Sequence, residues 1–169
     1  MDTAHLHLIV NHFPIIGTLI GVGVLAYGLF INNLAVKKVG LGIFVLMAIL
    51  AVPAYLTGEG AEEAVEHLAG VSDHDIHEHE ELAETGIVVI GALGILALFA
   101  LYAFAKKKAM AKTLTIVAFL LGLVTFGLFA KVGNLGGKIR HTELSENHSS
   151  NEQNEQQSET RHDDDDDDD

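Results

Sequence analysis

Four long apolar segments restrict the folds open to this chain. They run from about Leu6 to Ile31, Leu34 to Leu56, Leu82 to Ala105 and Met110 to Val132. Each has about 20 residues or more, enough for a helix rising roughly 1.5 Å per residue to cross a hydrocarbon core of about 30 Å. Lysines and arginines lie at the segment ends and strand-like alternation is absent, so the segments predict membrane-spanning helices.

The spacing of these segments predicts an all-α fold, an up-down bundle of four transmembrane helices in one domain, residues 1–142. Because successive helices in such a bundle are neighbours, the first and third helices should lie on a diagonal. Residues 143–169 hold 12 acidic residues and one basic residue, and hence most of the net charge of −13. With almost no apolar residues to bury, they are predicted to form a disordered acidic tail.

The basic residues predict the orientation of the bundle. Lys37 and Lys38 lie in the first loop, and Lys106–Lys108 and Lys112 lie in the third, whereas the loop 57–81 is rich in Glu, Asp and His. By the positive-inside rule the lysine-bearing loops are cytoplasmic. Both termini and the loop 57–81 then face outward, into the periplasm if the membrane is a bacterial inner membrane.

The loop between the second and third segments has helical features of its own. Residues 61–69 show helical spacing, and Gly70 is a plausible end to that helix. Ser72 followed by Asp75 resembles a capping box. The third helix is therefore expected to begin near Asp73, outside the membrane.

Composition excludes several classes of function. The chain has no Cys, which removes disulfides, thiolate-ligated iron–sulfur clusters and covalent haem attachment. Its acidic balance argues against nucleic-acid binding, which needs a basic surface. The sequence contains no H-E-x-x-H spacing and no recognisable nucleophilic triad, so it gives no support for a metalloprotease or a triad hydrolase.

Histidines collect at the ends of the apolar segments. In the predicted topology six of them reach the same membrane face: His5, His7, His12, His77, His79 and His141. Ionisable groups at a membrane are costly, so a converging set indicates a functional site.

Helical phase ranks the histidines of the first helix. His5 and His12 are seven residues apart and form one stripe, whereas His7 points elsewhere and is the weaker candidate. Pro14 favours a kink between Val10 and Pro14 that would aim His12 into the bundle. Gly17 and Gly21 form a pair of small residues four positions apart that points away from His5 and His12, and this pair is assigned to helix packing.

The third and fourth helices offer further candidate ligands. His79 lies seven residues before Gly86, a position without a side chain over which a flat macrocycle would fit. Gly136 and Gly137 would let the chain turn back and carry His141 inward. Lys138 and Arg140 would then pair with anionic groups such as haem propionates, or simply extend to the membrane interface.

His12 and His79 would face each other across the bundle diagonal. Two imidazoles on opposite sides of one iron are the ligands of a low-spin electron-transfer haem. A rival hypothesis is a divalent-metal binding or transport protein that uses residues 77–84 with His67 and His74, taking Zn, Cu or Fe ions directly. A third is a structural accessory subunit of a larger membrane complex.

Several short motifs resemble a family of four-helix bacterial membrane proteins described as a domain of unknown function. They are Asn-His-Phe-Pro-Ile at 11–15, Thr-Gly-Glu-Gly-Ala-Glu at 57–62, His-Glu-Glu-Leu-Ala-Glu-Thr at 79–85 and Leu-Gly-Gly-Lys-Ile-Arg-His at 135–141. The resemblance spans about residues 5–142. It implies a cytochrome-b-like membrane protein found near respiratory components, with His5, His12, His79 and His141 as its haem ligands.

The sequence thus predicts an integral membrane protein that binds one or two haem b groups without covalent attachment. Lys138 and Arg140 would lie beside the cofactor. With both axial positions occupied by protein groups, an electron-transfer or assembly role is favoured over catalysis. The expected partners are the lipid bilayer, other respiratory or electron-transfer subunits, and copies of the chain itself.

Overall fold

The structure, a computed structural model, describes residues 3–64 and 71–140, and this part of the chain is almost entirely helical. The helices are α1 (Thr3–Val10), α2 (His12–Phe30), α3 (Leu34–Leu56), α4 (Gly58–Glu62), α5 (Asp73–Ala105) and α6 (Ala111–Arg140). Four stretches are long and apolar enough to cross a membrane: Thr3–Phe30, Leu34–Leu56, Asp73–Ala105 and Ala111–Lys138. The predicted all-α, four-helix fold is confirmed, while the predicted tail 143–169 lies outside the described residues.

The four long helices form a ring of neighbours. Helix α2 packs against α3, α3 against α5 and α5 against α6, and α6 returns to pack against α2. Helices α2 and α5 therefore occupy opposite corners of the bundle. This is the diagonal that the sequence predicts for the first and third spans.

Glycines let large side chains fill the space between the helices. The Phe44 ring is fully buried and lies between Gly21 of α2 and Gly122 of α6. A Cβ added at Gly21 would lie 2.7 Å from the ring, and one at Gly122 would lie 2.6 Å from it. Gly17 packs against Met47 of α3, so the packing role predicted for Gly17 and Gly21 is confirmed. Such small residues bring membrane helices close together.

The outer surface of the bundle is apolar. Only 28–33% of each span is buried inside the bundle. Large apolar side chains face outward on every span, among them Ile20, Ile49, Val88, Phe99 and Val124. A water-soluble monomer rarely exposes a continuous apolar surface of this kind. These are the features of an integral membrane protein.

Two tight turns form one end of the bundle. Helices α2 and α5 each end with a residue in the left-handed conformation, Asn32 (φ 52°) and Lys107 (φ 51°). At the end of α5 the Lys108 N–H donates to the Ala103 carbonyl over 2.8 Å, and the Lys107 N–H to the Phe104 carbonyl over 3.1 Å. This is the Schellman arrangement. We call this the lysine end, because it holds Lys37, Lys38, Lys106, Lys107, Lys108 and Lys112.

The opposite end departs in detail from the sequence predictions. Helix α5 begins at Asp73 as expected, but the Ser72 side chain makes no capping hydrogen bond. Instead, the Ser72 carbonyl accepts from the N–H groups of Asp75 and Ile76. Of the helix predicted over 61–69, α4 covers only its first residues, and residues 65–70 lie outside the described part of the chain.

Candidate functional site

Two half-buried histidines mark the end of the bundle opposite the lysines. His7 lies on α1, and His79 lies near the start of α5. Each imidazole is hydrogen-bonded to a helix other than its own. We call this the histidine end: α1, the last turn of α3, the first turns of α5 and the last turns of α6.

His7 packs against the C-terminus of α3. Its Nδ1 lies 3.0 Å from the Ala54 carbonyl oxygen and 3.2 Å from Thr57 Oγ1. The last carbonyls of a helix lack partners within the helix, so they are available to a side chain from elsewhere. The Thr57 hydroxyl donates to the Pro53 carbonyl over 2.8 Å. The sequence places both acceptors here by ending α3 at Leu56.

These partners determine the state of the His7 ring. A carbonyl oxygen only accepts hydrogen bonds, and the Thr57 hydroxyl already donates to Pro53. His7 Nδ1 must therefore carry the proton and donate it. In the neutral imidazole Nε2 then has a free lone pair, which can accept a hydrogen bond or bind a metal.

His79 has the same arrangement against α6. Its Nδ1 lies 3.1 Å from the Val132 carbonyl oxygen and so donates to it. The ring lies close to Gly136, where an added Cβ would be 3.2 Å from His79 Cε1. The missing side chain at Gly136 lets the imidazole reach the α6 backbone. Nε2 of His79 has no hydrogen-bond partner among the described residues.

The imidazoles of α1 and α5 lie at the same end of the bundle. His7 is held at the C-terminus of α3, and His79 is held against the last turns of α6. Two imidazoles with Nδ1 donating to acceptors on neighbouring helices thus lie at one end of the bundle. On each ring, Nε2 is the nitrogen left for a further ligand.

The other predicted ligands lie at the periphery. His5 is exposed, and so is His12, whose Nδ1 lies 3.1 Å from the Leu8 carbonyl of the same helical stretch. Lys138 is exposed in the last turns of α6, and Arg140 ends that helix. The predicted ligand His141 lies outside the described residues.

His7 is half-buried and His12 is exposed, the opposite of the burial expected from helical phase. The helix is interrupted at Asn11, within the predicted kink region, but the interruption leaves His12 outside and His7 inside. The buried face of α2 explains this difference, because it includes Pro14, Gly21 and Gly28, which are seven residues apart. His7 continues this seven-residue spacing. A small-residue stripe marks the inward face, and that signal would have identified His7.

The glycines near the site behave differently from the predictions. The space over Gly86 is filled by the Phe129 ring, which lies 2.8 Å from an added Cβ, so the expectation of an open position there is wrong. Gly136 and Gly137 remain helical, and the predicted turn after them is wrong because α6 continues to Arg140. Leu135, only 3% exposed, helps to hold these extra turns against the bundle.

Asn11 is a further polar residue at this end of the bundle. Its Oδ1 is buried and has no hydrogen-bond partner among the described residues. Asn11 lies one helical turn after His7 and therefore on the same face. Buried polar atoms are nearly always hydrogen-bonded in proteins, so this oxygen is an unsatisfied acceptor at the histidine end.

The acidic residues at the start of α5 face solvent. His74 and His77 are exposed, and His77 Nδ1 lies 3.7 Å from Glu80 Oε2 in an exposed pair. Within residues 3–64 and 71–140, no group of three or more ligand-type side chains is arranged to hold a metal ion. His67, part of the rival metal hypothesis, lies outside the described residues.

Comparisons of the chain with protein-family models, with curated proteins and with solved structures find no match.

Proposed function

We propose that the protein is an integral membrane haem protein that transfers electrons at the histidine end, with His7 and His79 as the iron ligands. The observation that supports this most directly is the hydrogen bonding of the two half-buried imidazoles. Each donates Nδ1–H to acceptors on a neighbouring helix and keeps Nε2 free. Metal-bound histidines in proteins almost always donate their other ring N–H in this way.

The number of inward imidazoles favours haem over a free ion. A structural zinc site needs about four protein ligands, and a catalytic one about three. A haem brings its own four nitrogens and needs only one or two from the protein. His7 and His79 supply that number. When bound, the group would provide reversible one-electron chemistry.

The surroundings fit a ligand with polar edges. Asn11 Oδ1 is buried without a partner, and its amide can accept a hydrogen bond or, rotated, donate one. Lys138 and Arg140 lie in the last turns of α6 at the same end. In this proposal they pair with the propionates, and the exposed His5 and His12, together with His141, surround the haem or hold a second one.

Two protein ligands leave no open position for a substrate. Electron transfer is therefore the proposed role, within a respiratory assembly of a bacterial inner membrane, with the lysine end in the cytoplasm. The positive-inside distribution of the lysines supports this orientation. The motif resemblance supports the respiratory setting.

The test is an absorption spectrum of the full chain purified in detergent after expression with added haem precursor. The proposal predicts α and β bands of a low-spin haem in the reduced-minus-oxidised difference spectrum, with one or two haems per chain by pyridine haemochrome. Elemental analysis of the same sample tests the alternative hypothesis of a directly bound metal ion. A stoichiometric transition metal without porphyrin would replace the haem proposal with the metal-ion one, and neither haem nor metal would leave the accessory-subunit role.

A further inference from the structure

A cavity lies at the lysine end, far from the histidines. It has a volume of about 300 Å³ and sits between the two tight turns, where the ends of α2 and α5 meet the starts of α3 and α6. This is the lower end of the size range of small-ligand sites in proteins. The histidine site does not use it.

The wall of this cavity is mainly apolar. Leu29, Leu34 and Phe104 line it from three different helices. Thr115 also lines it, but its hydroxyl donates to the Ala111 carbonyl over 2.7 Å. The wall therefore offers apolar contact and suits a hydrocarbon chain.

The rim of the cavity is cationic. Lys37 and Lys112 both line it. Lys37 is half-buried, and its Nζ is held 2.6 Å from Asn32 Oδ1, another lining residue. The N-termini of α3 and α6 lie at the same end and add positive potential. The rim thus presents two ammonium groups next to an apolar wall.

Within residues 3–64 and 71–140, the positive charge of the lysine end has no acidic partner nearby. The end carries six lysines, and residues 3–58 and 85–142 contain no Asp or Glu. Exposed tyrosines, Tyr27 and Tyr102, flank it, and tyrosine is enriched at the level of the lipid headgroups. An anionic group at this end of the bundle would balance these charges.

We propose that this cavity binds an anionic membrane lipid, with its phosphate between Lys37 and Lys112 and one acyl chain against Leu29, Leu34 and Phe104. Basic pockets between transmembrane helices are known to bind anionic headgroups. The apolar wall favours a lipid over free phosphate, because a free anion gains nothing from it. The proposal does not depend on haem.

Thermal unfolding of the full chain in a zwitterionic detergent tests this, with three additives: phosphatidylglycerol, phosphatidylcholine and glycerol 3-phosphate. We expect only phosphatidylglycerol to raise the unfolding temperature of the wild type. The double variant Lys37→Gln/Lys112→Gln should need about tenfold more of it for the same rise, since each lysine near an anionic lipid contributes appreciably to binding. The control Lys38→Gln/Lys108→Gln removes the same charge outside the cavity and should stay within about twofold of the wild type.

Three outcomes would overturn the proposal. Equal loss in both double variants would mean that net charge alone attracts the lipid. An equal effect of phosphatidylcholine would mean that the headgroup is not recognised. Stabilisation by glycerol 3-phosphate as strong as that by the lipid would identify a site for a free phosphate ester.

Discussion

His7 and His79 differ from the exposed His12 in where their hydrogen bonds go. The Nδ1 groups of His7 and His79 donate to α3 and α6, respectively, whereas that of His12 faces the Leu8 carbonyl of its own stretch. The His7 and His79 bonds reach helices distant in sequence and so fix each ring relative to its neighbours. The His12 bond spans only four residues along the chain and does not. The two imidazoles are thus held in place before any ligand arrives, which lowers the cost of ordering them on binding.

Gly136 offers a test of this preorganisation. Gly136→Leu would place a side chain against the His79 ring, where an added Cβ is already 3.2 Å from Cε1. We expect the ring to leave the Val132 carbonyl and haem content per chain to fall, because loss of such a hydrogen-bond partner typically lowers affinity by about tenfold or more. The matched control is Gly137→Leu on the next position, where an added Cβ meets nothing within 4 Å. Equal haem content in the two variants would contradict the account.

The helices that carry the site are longer than a membrane requires. Helix α5 has 33 residues and α6 has 30, or about 50 Å and 45 Å against a core of about 30 Å. Their extra turns meet at the histidine end, where Lys131 Nζ donates to Glu78 Oε1 over 3.0 Å. Exposed ion pairs contribute little, so we attribute the docking of these turns to Leu135 and to the His79 bond.

The turn between α5 and α6 holds one lysine in an unfavourable backbone conformation. Lys107 adopts φ 51°, a conformation that costs most residues about 1 kcal/mol and glycine almost nothing. Lys107→Gly should therefore raise the free energy of unfolding by up to about 1 kcal/mol, measured by denaturant titration in detergent. Lys108→Gly removes the same charge at a position without a positive φ and should not stabilise the protein. Stabilisation by both variants would point to charge repulsion as the cause.

At the scale of the whole molecule, the bundle is organised around Phe44. Its ring touches Gly21 of α2 and Gly122 of α6, so one side chain of α3 links three helices. Gly122→Leu would drive a side chain into this ring, and overpacking of this kind typically costs about 1–3 kcal/mol. Gly127→Leu is the control on the same helix, since an added Cβ there meets nothing within 4 Å. In thermal unfolding in detergent, Gly122→Leu should unfold at a lower temperature than Gly127→Leu. Equal unfolding temperatures would argue against this helix arrangement.

The apolar segments determine most of the fold from the sequence alone. Helix α3 has the predicted bounds Leu34–Leu56, and α5 begins at the predicted Asp73, because run length and local turn signals set those limits. The extension of α6 to Arg140 was not predicted, since two glycines in a row suggest a turn. This extension depends on contacts with α5, such as that of His79 with Val132. Contacts between helices cannot be predicted from the residues of one short segment.

The site was predicted only in part. His79 lies as expected on the inward face of α5, seven residues before the buried Gly86. The Phe129 ring over Gly86 was not foreseen, because which α6 residue lies opposite depends on the register of the two helices. The inward position of His7 follows the seven-residue spacing of the buried Pro14, Gly21 and Gly28, which mark the inward face of the first span.

The most direct test of the account compares His7→Ala, His79→Ala and His12→Ala in the full chain, purified in detergent and shown by gel filtration to be folded. We predict that His7→Ala and His79→Ala each lose the low-spin bands of the reduced-minus-oxidised spectrum or convert them to high-spin bands, because each removes one of the two proposed iron ligands. His12→Ala removes an exposed imidazole five residues from His7 and should keep the wild-type spectrum. Loss of the bands in His12→Ala, with His7→Ala unchanged, would contradict the assignment of His7 and His79 as the ligand pair.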